Sequence, residues 1–102
     1  MDKIKVLVVE PEKEPYLKEI DNEIKTMQKL VNGYIETVFL TSTAVLVCND
    51  EGMINGSKRN RSYDFGFIYG TFFIAGIDEP DFASLNDLDI KKYTKKFGLI
   101  NT

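Results

Sequence analysis

Changes in the spacing of apolar and polar positions mark out the elements of this chain. Ile4 and Val6 to Val9 form an almost unbroken apolar run. That continuity predicts a strand across residues 3–9 buried on both faces. Glu10-Pro11 ends it, because proline brings no N–H to a ladder. The spacing then changes. Leu17, Ile20, Ile24, Met27 and Val31 recur every three or four residues, with charged residues between them. This predicts one amphipathic helix lying on a sheet. Pro15 suits its first position, and Gly33 of Asn32-Gly33 suits a left-handed C-terminal cap.

Residues 34–40 alternate: Tyr34, Glu36, Val38 and Leu40 fall on one side, Ile35, Thr37 and Phe39 on the other. With residues 44–48 they predict a hairpin turning at Thr41-Ser42-Thr43. Asn49 to Gly52 is a turn signal, after which Met53-Ile54 reads as a brief strand or flap. Residues 57–64, SKRNRSYD, read as the most polar loop. Residues 65–75, FGFIYGTFFIA, are the most apolar run, interrupted by Gly66 and Gly70. A glycine inside a strand marks a bulge or a close approach by another backbone or ligand. The last element is a helix from about residue 86 to 97, with Ser84 or Asn86 as N-cap. Its acidic start and lysine-rich end suit the helix dipole. The expected fold is one α+β domain over residues 1–102. It is a small mixed sheet with two helices on one face, in the order β-α-β-β-(loop)-β-α.

Composition narrows the classes. Of 102 residues, 43% are apolar and 28% charged, which fits a single globular core and no disordered chain. No apolar run approaches the roughly 20 residues of a membrane helix, and the N-terminal run is too short for a signal peptide. No membrane association and a cytoplasmic location are therefore expected. Cys48 is the single cysteine and histidine is absent. That rules out an internal disulfide, histidine-based triads and most zinc sites. No metal, no cofactor and no catalytic residue are expected, so the chain reads as no enzyme. The net charge of −3 opposes general nucleic-acid binding. Charge is unevenly spread, though. No Lys or Arg lies between Leu30 and Ser57, and then Lys58, Arg59 and Arg61 arrive together.

That basic loop is the first candidate site, since guanidinium forks and nearby glycine backbone can hold an anion. A solvated surface loop is the alternative. Glu10-Pro11 leads from a strand into the expected helix, a frequent ligand position, although Glu10 would repel an anion there. Cys48 has no base to activate it and reads as core. The acidic turns at Asp50-Glu51 and at Asp78, Glu79 and Asp81 read as turn chemistry. Glu10, Asn49, Asn55, Asn60, Arg61 and Thr71 assemble into a candidate polar ligand-binding patch beside aromatics able to stack a base. Phe65, Phe67 and Tyr69 are candidate interface residues, because eleven apolar residues exceed what one strand of so small a domain needs.

The chain resembles a small domain-of-unknown-function family, DUF 3846, found largely in phages, plasmids and conjugative elements of Gram-positive bacteria. The resemblance covers nearly the whole chain. It is carried by Val8-Val9-Glu10-Pro11, Pro15-Tyr16 with Lys18-Glu19-Ile20, Gly33-Tyr34-Ile35-Glu36, and Cys48 to Gly52. Asn55-Gly56, Asn60-Arg61, Gly70 to Ile74, and Phe82 with Ser84-Leu85 complete it. Asn32 stands where such sequences often have a first glycine, and Asn tolerates the left-handed turn. The resemblance implies a mobile-element accessory protein inside a bacterial cell and transfers no catalytic residue. Two function classes follow as expectations. One is a non-enzymatic protein that binds a host protein and interferes with a host process such as defence. The other sequesters a small anionic, nucleotide-type signal at a site between subunits of a homo-oligomer.

Overall fold

The computed structural model describes residues 2–52, 56–64 and 66–99. Its centre is made by the two most apolar segments. β1 (Lys3–Val9) and β7 (Phe72–Asp78) lie side by side, Leu7 opposite Ile74 and Val9 opposite Phe72. The remaining strands are β2 (Tyr16–Asp21), β3 (Ile35–Phe39), β4 (Ala44–Asn49), β5 (Arg59–Tyr63), β6 (Gly66–Tyr69) and β8 (Asp81–Ala83). Two helices, α1 (Ile24–Val31) and α2 (Asp87–Lys96), complete the fold. The main sheet runs β2-β1-β7-β4-β3, with β8 paired to the far end of β7, and β5-β6 form a separate hairpin. The class is α+β, as expected. Among the described residues every strand pairing is antiparallel, where a mixed sheet is expected from the sequence.

Strand alternation sends side chains to two faces, and both are covered. Leu7, Val9, Leu46, Cys48, Phe72 and Ile74 pack on one face with Tyr93 and Phe97 near the C-terminus and Ile68 of β6. Val6, Val8, Val45, Val47, Phe73 and Ala75 pack on the other with Met27 and Val31 of α1. The two helices thus sit on opposite faces of the sheet. The expectation of two helices on one face is corrected by this parity.

The expected first helix is also corrected. Its first half is β2, paired with β1 from Lys3–Asp21 to Val8–Tyr16, and only its second half is helical. The helical spacing was a coincidence between two elements. Of the five periodic residues, Ile20, Met27 and Val31 are buried, whereas Leu17 and Ile24 are exposed. The left-handed residue ending α1 is Asn32, at φ 63°, with Gly33 following and donating to the Gln28 carbonyl at 2.9 Å.

Two further readings change. The polar loop at residues 57–64 is largely strand β5. The long apolar run is two strands, broken at Gly70-Thr71, where Gly70 has φ 76° and its N–H reaches the Lys58 carbonyl at 2.7 Å. Met53-Ile54 lies outside the described residues. α2 is capped by Asn86, whose side chain accepts from Asp89 N–H at 2.8 Å.

Candidate functional site

The polar residues singled out in the sequence gather at one end of the sheet. Val9 pairs with Phe72, so Glu10 and Thr71 take the next places beyond the ladder. Val47 pairs with Phe73, which brings Asn49 to the same end. Asn60 is tied there too, its Nδ2 donating to the carbonyls of Val9 at 2.8 Å and Gly70 at 2.9 Å. Asn55 and the interface candidate Phe65 lie outside the described residues.

The side chains of Glu10, Asn49, Asn60 and Arg61 are occupied by the fold itself. Arg61 donates from Nε to the Phe97 carbonyl at 2.8 Å, from Nη2 to the Lys13 carbonyl at 2.6 Å, and from Nη1 to Asn60 Oδ1 at 2.7 Å. Asn49 Nδ2 donates to the carbonyls of Val31 and Asn32, and its Oδ1 accepts from Glu51 N–H at 2.7 Å. Glu10 accepts from the Tyr16 hydroxyl and lies 3.5 Å from Lys13 Nζ. The Tyr16 bond holds the Glu10 carboxyl below its ordinary range, and burial together with Glu10 pushes the Tyr16 hydroxyl up to about 12. Thr71 is half-buried between β6 and β7. The group is therefore a set of ties joining loops to strand ends, with its donors directed at main-chain carbonyls.

A second feature is a groove on the α2 face of the sheet, between the β3–β4 edge and β6. It encloses about 240 Å³ and is lined by Glu36, Val38, Cys48, Asp50, Phe67 and Tyr69, among others. Phe67 is 52% exposed, and the Arg59 guanidinium lies over its ring at 4.3 Å. Two of the interface candidates, Phe67 and Tyr69, thus meet in this groove. Burial, helped by the charges of Glu36 and Asp50, pushes the Cys48 thiol up to about 11 from 9.0. Two pH units mean about a hundredfold less thiolate at neutral pH. At pH 8 iodoacetamide is expected to alkylate Cys48 at least about a hundredfold more slowly in the folded protein than in denatured chain. Equal rates would contradict the burial of the thiol.

Among the described residues β3 forms one margin of the sheet and is paired to β4 alone. Its hydrogen-bond phase follows from the flanking bonds. Asp50 N–H reaches the Tyr34 carbonyl at 3.0 Å, and Leu40 N–H reaches the Ala44 carbonyl at 2.9 Å. In an antiparallel ladder bonded pairs alternate, so Tyr34, Glu36, Val38 and Leu40 turn their main-chain groups toward β4. Ile35, Thr37 and Phe39 turn theirs outward. The margin is flanked by apolar surface, Tyr34 being 72% exposed and Phe39 65%. It carries no lysine, no proline and no register shift, three of the usual blocks to strand pairing, and its one charge is Glu36. The opposite margin, β2, carries exposed Lys18 and Glu19.

Alternation at residues 34–40 was legible in the sequence, but nothing local said that β3 would be outermost.

The family described as "Domain of unknown function (DUF3846)" matches residues 4–98, and the chain belongs to that family. Comparison with curated proteins and with solved structures finds no match. No helix among the described residues is long and apolar enough to cross a membrane.

Proposed function

We propose that this chain is a non-enzymatic binding protein that takes up a protein partner by adding an extended segment of it to the β3 margin. By its resemblance to a mobile-element family, the setting is the cytoplasm of a bacterial host. There a phage or plasmid would use it to interfere with a host process such as defence.

The observation that carries the reading is the outward row of main-chain groups at Ile35, Thr37 and Phe39, flanked by exposed aromatics. Strand addition draws affinity from such a row and specificity from pockets beside it. Sequestration of a nucleotide-type signal finds less support. The guanidinium expected to hold the anion is directed at main-chain carbonyls.

Proline scanning tests the reading. Thr37→Pro removes an outward N–H and leaves the bonds to β4 in place, because an edge strand tolerates proline where its N–H faces solvent. It is expected to melt within a few degrees of wild type and to lose the partner recovered by cross-linking from host lysate. Glu36→Pro removes an inward N–H and is expected to destabilise the domain itself. Retention of the partner by Thr37→Pro would contradict the reading.

A further inference from the structure

The groove beside β3 carries information about the partner's sequence. A strand added to β3 projects alternate side chains on to the same face as Glu36 and Val38, which is the face of the groove. Because Glu36 and Val38 bond inward to β4, residues opposite them on an added strand form non-hydrogen-bonded pairs. Those are the pairs whose side chains approach most closely. A side chain in that place meets the carboxylate of Glu36 and that of Asp50 beyond it. Along the way it passes Val38 and the rings of Phe67 and Tyr69.

We infer that the added strand belongs to a different protein and places a lysine or arginine side chain in this groove. The inference rests on the strand-addition reading above and adds the chemistry of the partner. Two carboxylates receive the cationic head, while the apolar wall and rings receive the stem, an arrangement that suits the two-part character of Lys and Arg. None of the described lining residues is itself a cation, and nearby Lys58 is paired with Glu12 at 2.8 Å. Arg59 lies over the Phe67 ring, so an incoming cation shares that ring or displaces the guanidinium.

Charge also separates this occupant from a second copy of the chain. In the two-fold register centred on Thr37, each Glu36 would face Val38 of the other copy, leaving the two Glu36 side chains on one diagonal. Between Leu30 and Ser57 the chain has Glu36, Asp50 and Glu51 and no Lys or Arg to offset them. Like charges so placed across a strand pair oppose association.

Selection from phage-displayed random nine-residue peptides tests this. On wild-type protein the selected peptides are expected to share an alternating, β-branched pattern with Lys or Arg at one position. Glu36→Gln is expected to weaken a selected basic peptide about tenfold, and Glu36→Gln with Asp50→Asn about a hundredfold. Glu36→Lys is expected to exchange the preference for Asp or Glu at that position. Both side chains lie at the surface, so unchanged thermal melting is the control for folding. Peptides that bind wild type and fail on Thr37→Pro, yet show no basic position, would overturn the inference and leave strand addition standing. Peptides whose binding survives Thr37→Pro, or a selection that enriches nothing, would overturn both. Selection of a segment matching residues 34–40 of this chain would replace the basic partner with a second copy.

Discussion

Arg61→Ala is expected to cost about 3–5 kcal/mol of folding stability, the scale of losing two charged-donor hydrogen bonds to distant carbonyls at about 1.5–3 kcal/mol each. A domain of this size holds about 5–15 kcal/mol in all, so most of the variant's margin disappears. The reason lies in what the guanidinium holds. Arg61 is 3% exposed; two of its bonds join β5 to the loop after β1 and to Phe97 after α2, and another holds its neighbour Asn60. Each bond from a charged donor contributes about 1.5–3 kcal/mol, and each carbonyl left unpaired in the interior costs again. Burial lowers the guanidinium's pKa and Glu14 opposes that shift, so the charge is retained with little solvent around it. Arg61→Lys should recover only part of the loss, since an ammonium cannot match a planar fork aimed at three acceptors. Urea unfolding measures both variants. A variant as stable as wild type would return Arg61 to the list of ligand-binding residues.

Gly76→Ala is expected to cost about 3 kcal/mol, although it adds a single methyl group. A Cβ at Gly76 would stand 2.2 Å from the Ser84 carbonyl oxygen and 2.9 Å from its carbon. Both are main-chain atoms of the segment following β8, so no side-chain rotation relieves the clash. That segment must move away from β7, and its ties would break with it. Lys5 N–H donates to Ser84 Oγ at 2.9 Å, Leu85 N–H donates to the Lys5 carbonyl at 2.9 Å, and the Leu85 side chain is buried. Overpacking alone costs about 1–3 kcal/mol, and two lost hydrogen bonds add about 1 kcal/mol each. Faster amide exchange at Leu85 with a lower urea midpoint is the expected pair of results. Gly76→Ala with wild-type stability would mean that β8 yields without loss.

Residue order announced some of this architecture and concealed the rest for identifiable reasons. β1 and β4 stood out because a strand covered on both faces must be apolar at nearly every position. α2 stood out because its cap at Asn86 and its charges at both ends are local features. β2 was hidden because Leu17 and Ile20 happen to continue the spacing of Ile24, Met27 and Val31 across a turn. β5 was hidden because its one buried side chain is the charged Arg61, and nothing near Arg61 in the sequence reveals the carbonyls of Lys13 and Phe97 that hold it. The same nonlocality governs the site. Alternation along residues 34–40 could be read directly, yet whether the outward main-chain groups of Ile35, Thr37 and Phe39 are left unpaired depends on which strand ends up outermost. The polar patch shows the converse. Its described members do meet at one end of the sheet, but the donors of Asn49, Asn60 and Arg61 are spent on holding it together.

Amide hydrogen exchange, read residue by residue with and without a selected basic peptide, tests strand addition most directly. In the free protein the amides of Glu36, Val38 and Leu40 are expected to be protected by β4, and those of Ile35, Thr37 and Phe39 to exchange rapidly. On binding, the latter three should slow by at least about tenfold while the former change little. Unchanged exchange at Ile35, Thr37 and Phe39 in a saturated complex would place the partner elsewhere and contradict the account.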